Sequence, residues 1–312
     1  MEPSAIIISD NVLEKLLSKI SLKAKKSFIL YFLTTPKLIQ KFTHVFLPES
    51  ILQEENFANQ IIQFLKSEQV KIGISISPTF VKKGEDLPLT QDYIWNPLPF
   101  LLKYKKQFPD IQSFHITLPF GQRRIQKSPK HDEYLVQTQY NWTTLATIMQ
   151  TLEKENLELV AELDVYFYEN SSEDYYIHMR QILWDGYDLL KKLGMQFPTL
   201  LVNPFYPKLK GLRNPDALDA ANIANTTLRC LMESLQKPPA IWIKSCDEMG
   251  KYAYQKYIKF ISTYKKDGKL QISWTLGSEL LDEFVNVWMG QSNNVEEARK
   301  KFWDGLASVS TF

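Results

Sequence analysis

The chain has 312 residues, with 37 Lys+Arg against 35 Asp+Glu, a net charge of +2 and 44% hydrophobic residues. This is the composition of a folded chain, and its near-neutral charge argues against a dedicated nucleic-acid binder. No apolar window reads as a membrane span, the first residues do not read as a basic region followed by an apolar run and a cleavage site, and Glu2, Asp10 and Glu14 disfavour a mitochondrial presequence; no GxGxxG or GxxxxGK[ST] loop occurs, and two cysteines (Cys230, Cys246) cannot build a disulfide framework.

Along the chain, short β-branched runs alternate with longer helix-periodic stretches. The runs are Ser4–Ser9, Thr43–Leu47, Val70–Ser77, Ile111–Leu118, Leu157–Val165, Thr199–Asn203, Ala240–Ser245 and Leu270–Leu276. Between them lie Asn11–Ile20, Glu54–Lys66, Glu133–Glu155, Asp174–Leu193, Asp216–Leu235 and Glu248–Tyr264. Asp10 stands where an N-cap belongs, and Pro215 stands where a helix would start. Strands separated by helices pair in parallel through crossovers. Eight such units in a chain of this length predict a single (β/α)8 barrel spanning residues 1–312. Phe80–Leu89 and Pro119–His131 read as long loops after strands, on the face where sites of this fold form.

Alternation then assigns the lumen. On the fifth strand, Glu158, Val160, Glu162 and Asp164 point inward, and Leu159, Ala161, Leu163 and Val165 face the helices. Glu162 and Asp164 are candidate acid/base carboxylates; the other reading makes them hydrogen-bonded filler. The fourth strand turns Ser113, His115 and Thr117 inward, with His115 either a ligand or a structural hydrogen-bonder. The third turns Lys71, Gly73, Ser75 and Ser77 inward, and the eighth Gln271, Ser273 and Thr275. The carboxylates have no evident cationic or nucleophilic partner in this assignment. His44, His115, His131 and His178 are scattered, without metal-ligand spacing. No cofactor is expected.

Several segments, in order, resemble the class I fructose-1,6-bisphosphate aldolases over nearly the whole length. Phe32–Pro36 (FLTTP) is similar to the family's LFTTP, Val45–Gln53 to VILFEETLY and Gly73–Thr79 to GIKVDKG. Leu157–Val165 is similar to GLVPIVEPE, Thr199–Pro204 (TLLVNP) to TLLKPN, and Ile241–Glu248 to ITFLSGGQSE. Thr275–Leu281 is similar to SYGRALQ, and Trp288–Phe302 to the last helix. The resemblance implies a carbon–carbon lyase that forms a Schiff base on a sixth-strand lysine, yet that position is Val202, or Asn203 if Pro204 takes the place of the family's proline. A family lysine and aspartate on the third strand become Ser75 and Ser77, and a lysine and arginine on the fourth become Ser113 and His115. The phosphate-holding positions become Ser245 and Ser278, with Asp247 adding negative charge. Glu162 alone matches a catalytic residue of the family, with Asp164 in place of the second glutamate; Asp10 aligns poorly with an early aspartate.

A bisphosphate needs cations or backbone donors at both ends. Fold determinants kept and site residues lost imply an inactive, aldolase-like subunit of an assembly in the cytoplasm or another reducing compartment. A divergent active aldolase with a relocated lysine is the alternative, and a barrel with other chemistry around Glu162, Asp164 and His115 is a third. Protein partners are expected, self-association is an alternative, and neither nucleic-acid binding nor membrane insertion is expected. The candidate interaction surface joins the basic loop containing Arg123 and Arg124 to the aromatic stretch containing Trp95.

Overall fold

A computed structural model describes residues 3–18, 20, 24–35, 37–76, 97–121, 131–166, 172–205, 219–236, 239–244, 251–265, 271–276 and 278–310. Eight strands close into one all-parallel barrel: β1 (Pro3–Ile7), β2 (His44–Pro48), β3 (Lys71–Ile76), β4 (Ser113–Gly121), β5 (Glu158–Tyr166), β6 (Thr199–Val202), β7 (Ile241–Ile243) and β8 (Ile272–Leu276). Each pairs with its neighbours in chain order, and β1 closes against β8. Every run anticipated from sequence contains or overlaps one of these strands.

The helices are α1 (Asp10–Leu17), α2 (Lys25–Leu33), α3 (Glu49–Leu52), α4 (Glu55–Ser67), α5 (Leu98–Gln107), α6 (His131–Lys154), α7 (Ser172–Lys192), α8 (Ala220–Ser234), α9 (Lys251–Lys265), α10 (Ser278–Trp288) and α11 (Val295–Ser310). Among the boundaries that differ from the sequence reading, three have a visible cause. Ser9, not Asp10, caps α1, its side chain accepting from Val12 N at 3.3 Å. Asp10 reaches sideways instead, accepting from Ser50 N at 3.0 Å with Lys25 3.6 Å away. Helix α8 starts at Ala220 rather than beside Pro215, because Asp219 caps it by accepting from Asn222 N at 3.1 Å. Pro119–Gly121, read as the start of a loop, continues β4, since β5 is long enough to pair with it as far as Tyr166.

Two apolar layers follow from strand alternation. Ile72, Ile74, Phe114, Ile116, Leu159, Leu163, Val202, Ile243 and Trp274 pack outward against the helices. Ala5, Ile7, Phe46, Val160, Leu201 and Trp242 form a separate inner cluster that fills the lumen. Gly73 is needed where β3 passes this filling. A Cβ there would lie 2.4 Å from the Phe46 ring and 2.6 Å from Ser113 Oγ. The outer layer is completed by an aromatic cluster of Phe28 and Phe32 from α2, Phe284 and Trp288 from α10, and Phe302 from α11.

Candidate functional site

The lumen carries polar groups at both ends of its apolar plug. At the N-terminal end, Glu158 on β5 reaches across to β2 and β3. It accepts from Lys71 and lies 2.9 Å from His44 Nε2, while Thr43 Oγ1 is 2.8 Å from His44 Nδ1. Burial pulls His44 below its ordinary range, with Glu158 opposing. Burial acts to raise Glu158, but its bonds to Lys71 and His44 outweigh this and hold it low. Sites of this fold form at the opposite end, so this cluster belongs to the barrel's floor.

The second cluster sits toward the C-terminal face. Ser75 on β3 is paired with His115 on β4, and the side chains meet with Oγ 2.8 Å from Nδ1. His115 Nε2 lies 3.0 Å from Glu162 Oε2. The other oxygen, Oε1, accepts from Lys244 Nζ at 2.5 Å. Ser75, His115 and Glu162 are all buried, whereas the Lys244 side chain keeps 29% of its surface. The result is a chain of hydrogen bonds from a buried hydroxyl to an amine at the mouth. Burial alone would push the Glu162 carboxyl up. The Lys244 charge, the His115 contact and the Lys244 hydrogen bond reverse this and hold it well below the usual carboxylate range.

Lys244 is the residue that sequence reasoning missed. The assignment left the lumen carboxylates without a cation; the structure supplies Lys244 to Glu162 and Lys71 to Glu158. A signal existed. Trp242 is in the inner cluster, so Lys244, two residues on, follows β7 at lumen parity. The same parity separates the two candidates on β6. Val202 packs outward, while Leu201 is a lumen residue and Asn203 follows at its parity.

Other anticipated residues are distributed as follows. Ser113 is buried beside Gly73, and its Oγ has no hydrogen-bond partner among the described residues. Asp164 lies within β5 and Ser278 opens α10, with neither side chain among those described. Ser77, Trp95, Arg123, Arg124, Ser245, Cys246 and Asp247 lie outside the described residues, as do Phe80–Leu89 and the basic loop. Among the described residues, no group of three or more His, Cys, Asp or Glu is placed to hold a metal ion, and no helix is long and apolar enough to cross a membrane.

Among solved structures, the chain is similar to fructose-bisphosphate aldolase from Plasmodium falciparum, determined in complex with TRAP and a small-molecule inhibitor. The TM-score is 0.71 and the identity 15%, with 98% of this chain and 89% of that chain covered. This is a likeness of fold. No family model matches the chain, and no curated protein matches its sequence.

Proposed function

We propose that this aldolase-fold barrel does not cleave fructose 1,6-bisphosphate and serves as a structural or interaction subunit of an intracellular assembly. The observation that carries this reading is the state of its lumen lysine. A lysine attacks a carbonyl as the neutral amine. Lys244 instead faces a buried carboxylate held well below its usual range. An amine held in this ion pair must break it and lose a proton before it can attack. Residues Leu201 and Asn203 on the lumen side of the sixth strand offer no substitute amine. The loss of the arginine at one phosphate-holding position of the resemblance and of the Gly-Gly loop at the other, with Asp247 adding negative charge, supports the same reading.

One observation favours a second reading, an active lyase with a relocated lysine. The Lys244 amine lies at the barrel's C-terminal mouth within 2.5 Å of a carboxylate that could shuttle its proton. Borohydride trapping with dihydroxyacetone phosphate or fructose 1,6-bisphosphate separates the two. The first reading expects no covalent adduct and a native particle much heavier than one chain in endogenous extracts. A reduced adduct on the Lys244 peptide, lost in Lys244→Met, would establish the second.

A further inference from the structure

The polar chain above the lumen plug holds a second nucleophilic side chain besides Lys244, the Ser75 hydroxyl. Ser75 is next to last in β3 and pairs with Pro48, the last residue of β2. Phe46 of the plug pairs with Gly73, two residues earlier. Ser75 therefore stands on the plug, at the C-terminal end of the barrel where sites of this fold form.

Proton positions in the chain follow from its acceptors. Glu162 is held as a carboxylate, which only accepts, so His115 Nε2 carries the proton it shares with Oε2. A neutral imidazole then has a bare lone pair on Nδ1. Ser75 Oγ, 2.8 Å away, donates to it. This is the one hydrogen bond of Oγ among the described residues, so the oxygen's own lone pairs accept nothing there. The Phe46 ring stands against the imidazole, centroids 5.9 Å apart, and limits its rotation. Ser75 and His115 are each 1% exposed, so water does not compete for their bond, and only a small reacting group fits against Oγ. A hydroxyl donating to an imidazole, with a carboxylate on the other ring nitrogen, is the arrangement that activates serine for acyl transfer. It is recognised by roles and geometry, and here Nδ1 and Nε2 exchange their usual places.

We infer that Ser75 is a nucleophile, with His115 its general base and Glu162 a positioning residue, for transfer of a small acyl group from an ester. Oγ bonds to the acyl carbon while its proton passes to Nδ1. The ester C–O bond then breaks, and the departing oxygen takes that proton from Nδ1 and leaves as the alcohol. Water, deprotonated by the same imidazole, releases the acid and restores the hydroxyl. Glu162 balances the imidazolium formed in between, and Lys244 holds Glu162 in its charged form. Lys244 makes no bond to the substrate, which separates this chemistry from imine formation. The activity goes beyond the interaction-subunit reading and does not rest on it.

Labelling of the full chain with diisopropyl fluorophosphate tests it. The Oγ–P bond forms, the P–F bond breaks, and the hydroxyl proton leaves with fluoride by way of Nδ1. A stable adduct at Ser75, located by peptide mass spectrometry and absent from Ser75→Ala, is expected. His115→Gln keeps a hydrogen-bonding amide but takes up no proton, and should label about 100-fold more slowly. Glu162→Gln should move the pH profile of labelling to lower pH, because the imidazolium loses its counter-charge. A merely structural role for Glu162 would leave that profile in place. Melting curves establish that each variant is folded, and Ser75→Ala, which removes a single oxygen, keeps the test decisive if the other two are not. An unlabelled native chain overturns the inference, as does an adduct that persists in Ser75→Ala. Equal labelling rates in the native chain and a folded His115→Gln overturn it too. None of these results bears on the interaction reading, which stands or falls on the mass of the native particle.

Discussion

Replacing Lys244 with Met removes the charge from the mouth of the barrel and leaves its partner behind. Glu162 stays 3% exposed, with one oxygen toward His115 and the other facing an alkyl chain. Stranding one member of a buried ion pair costs about 3–5 kcal/mol. The lysine end is partly open at 29%, so water can reach the stranded oxygen, and about 2–3 kcal/mol is expected. For 312 residues the unfolding entropy is about 0.65 kcal/mol/K, so the melting temperature should fall by about 3–5 °C. The pH dependence identifies the cause. In the native chain Glu162 is held below its unfolded value, so its contribution is present above about pH 4.3 and lost as pH falls through the folded value. Without Lys244 the largest remaining influence is burial, which raises the carboxyl. The variant's deficit should therefore shrink as the pH is lowered from 7.5 toward 5. Adding Glu162→Gln to Lys244→Met should recover most of the loss, because the buried charge is then gone. Paired calorimetric melts across this pH range read both effects. A deficit under about 1 kcal/mol, or a double variant no better than the single one, would refute the view that this pair is an energetically coupled, buried unit.

Gly73→Ala should destabilise by about 1–3 kcal/mol in urea titrations, because the new methyl would meet the Phe46 ring and Ser113 Oγ inside the barrel; a neutral result would show that the lumen filling is loose. Burial depresses His44, so its unfolded form takes up a proton first and stability should fall as pH drops from about 7 toward 5. His44→Gln should flatten that slope relative to the native chain in melts at matched pH. Fructose 1,6-bisphosphate at millimolar concentration should leave the melting temperature unchanged, whereas a ligand at 100 times its dissociation constant would add about 2.7 kcal/mol. An increase of that size would restore the enzyme reading.

Local pattern carried the fold. The β-branched runs at SAIIIS, VKIGISIS and LELVAELDV, spaced by amphipathic stretches, point to parallel strands with crossovers, and strand alternation by itself turns Ser75, His115 and Glu162 inward. These are properties of neighbouring residues, and period-2 geometry is nearly independent of context. Helix starts were less legible because caps depend on which nearby side chain turns back, Ser9 rather than Asp10 and Asp219 rather than the region beside Pro215. The decisive contact of the candidate site lay beyond the sequence's reach. Glu162 and Lys244 are separated by 82 residues, and their strands, β5 and β7, are not neighbours. Parity alone says that each side chain faces inward. Only closure of the barrel brings β5 and β7 around the same axis at the same height, and only then does burial turn a carboxylate and an amine into one ion pair.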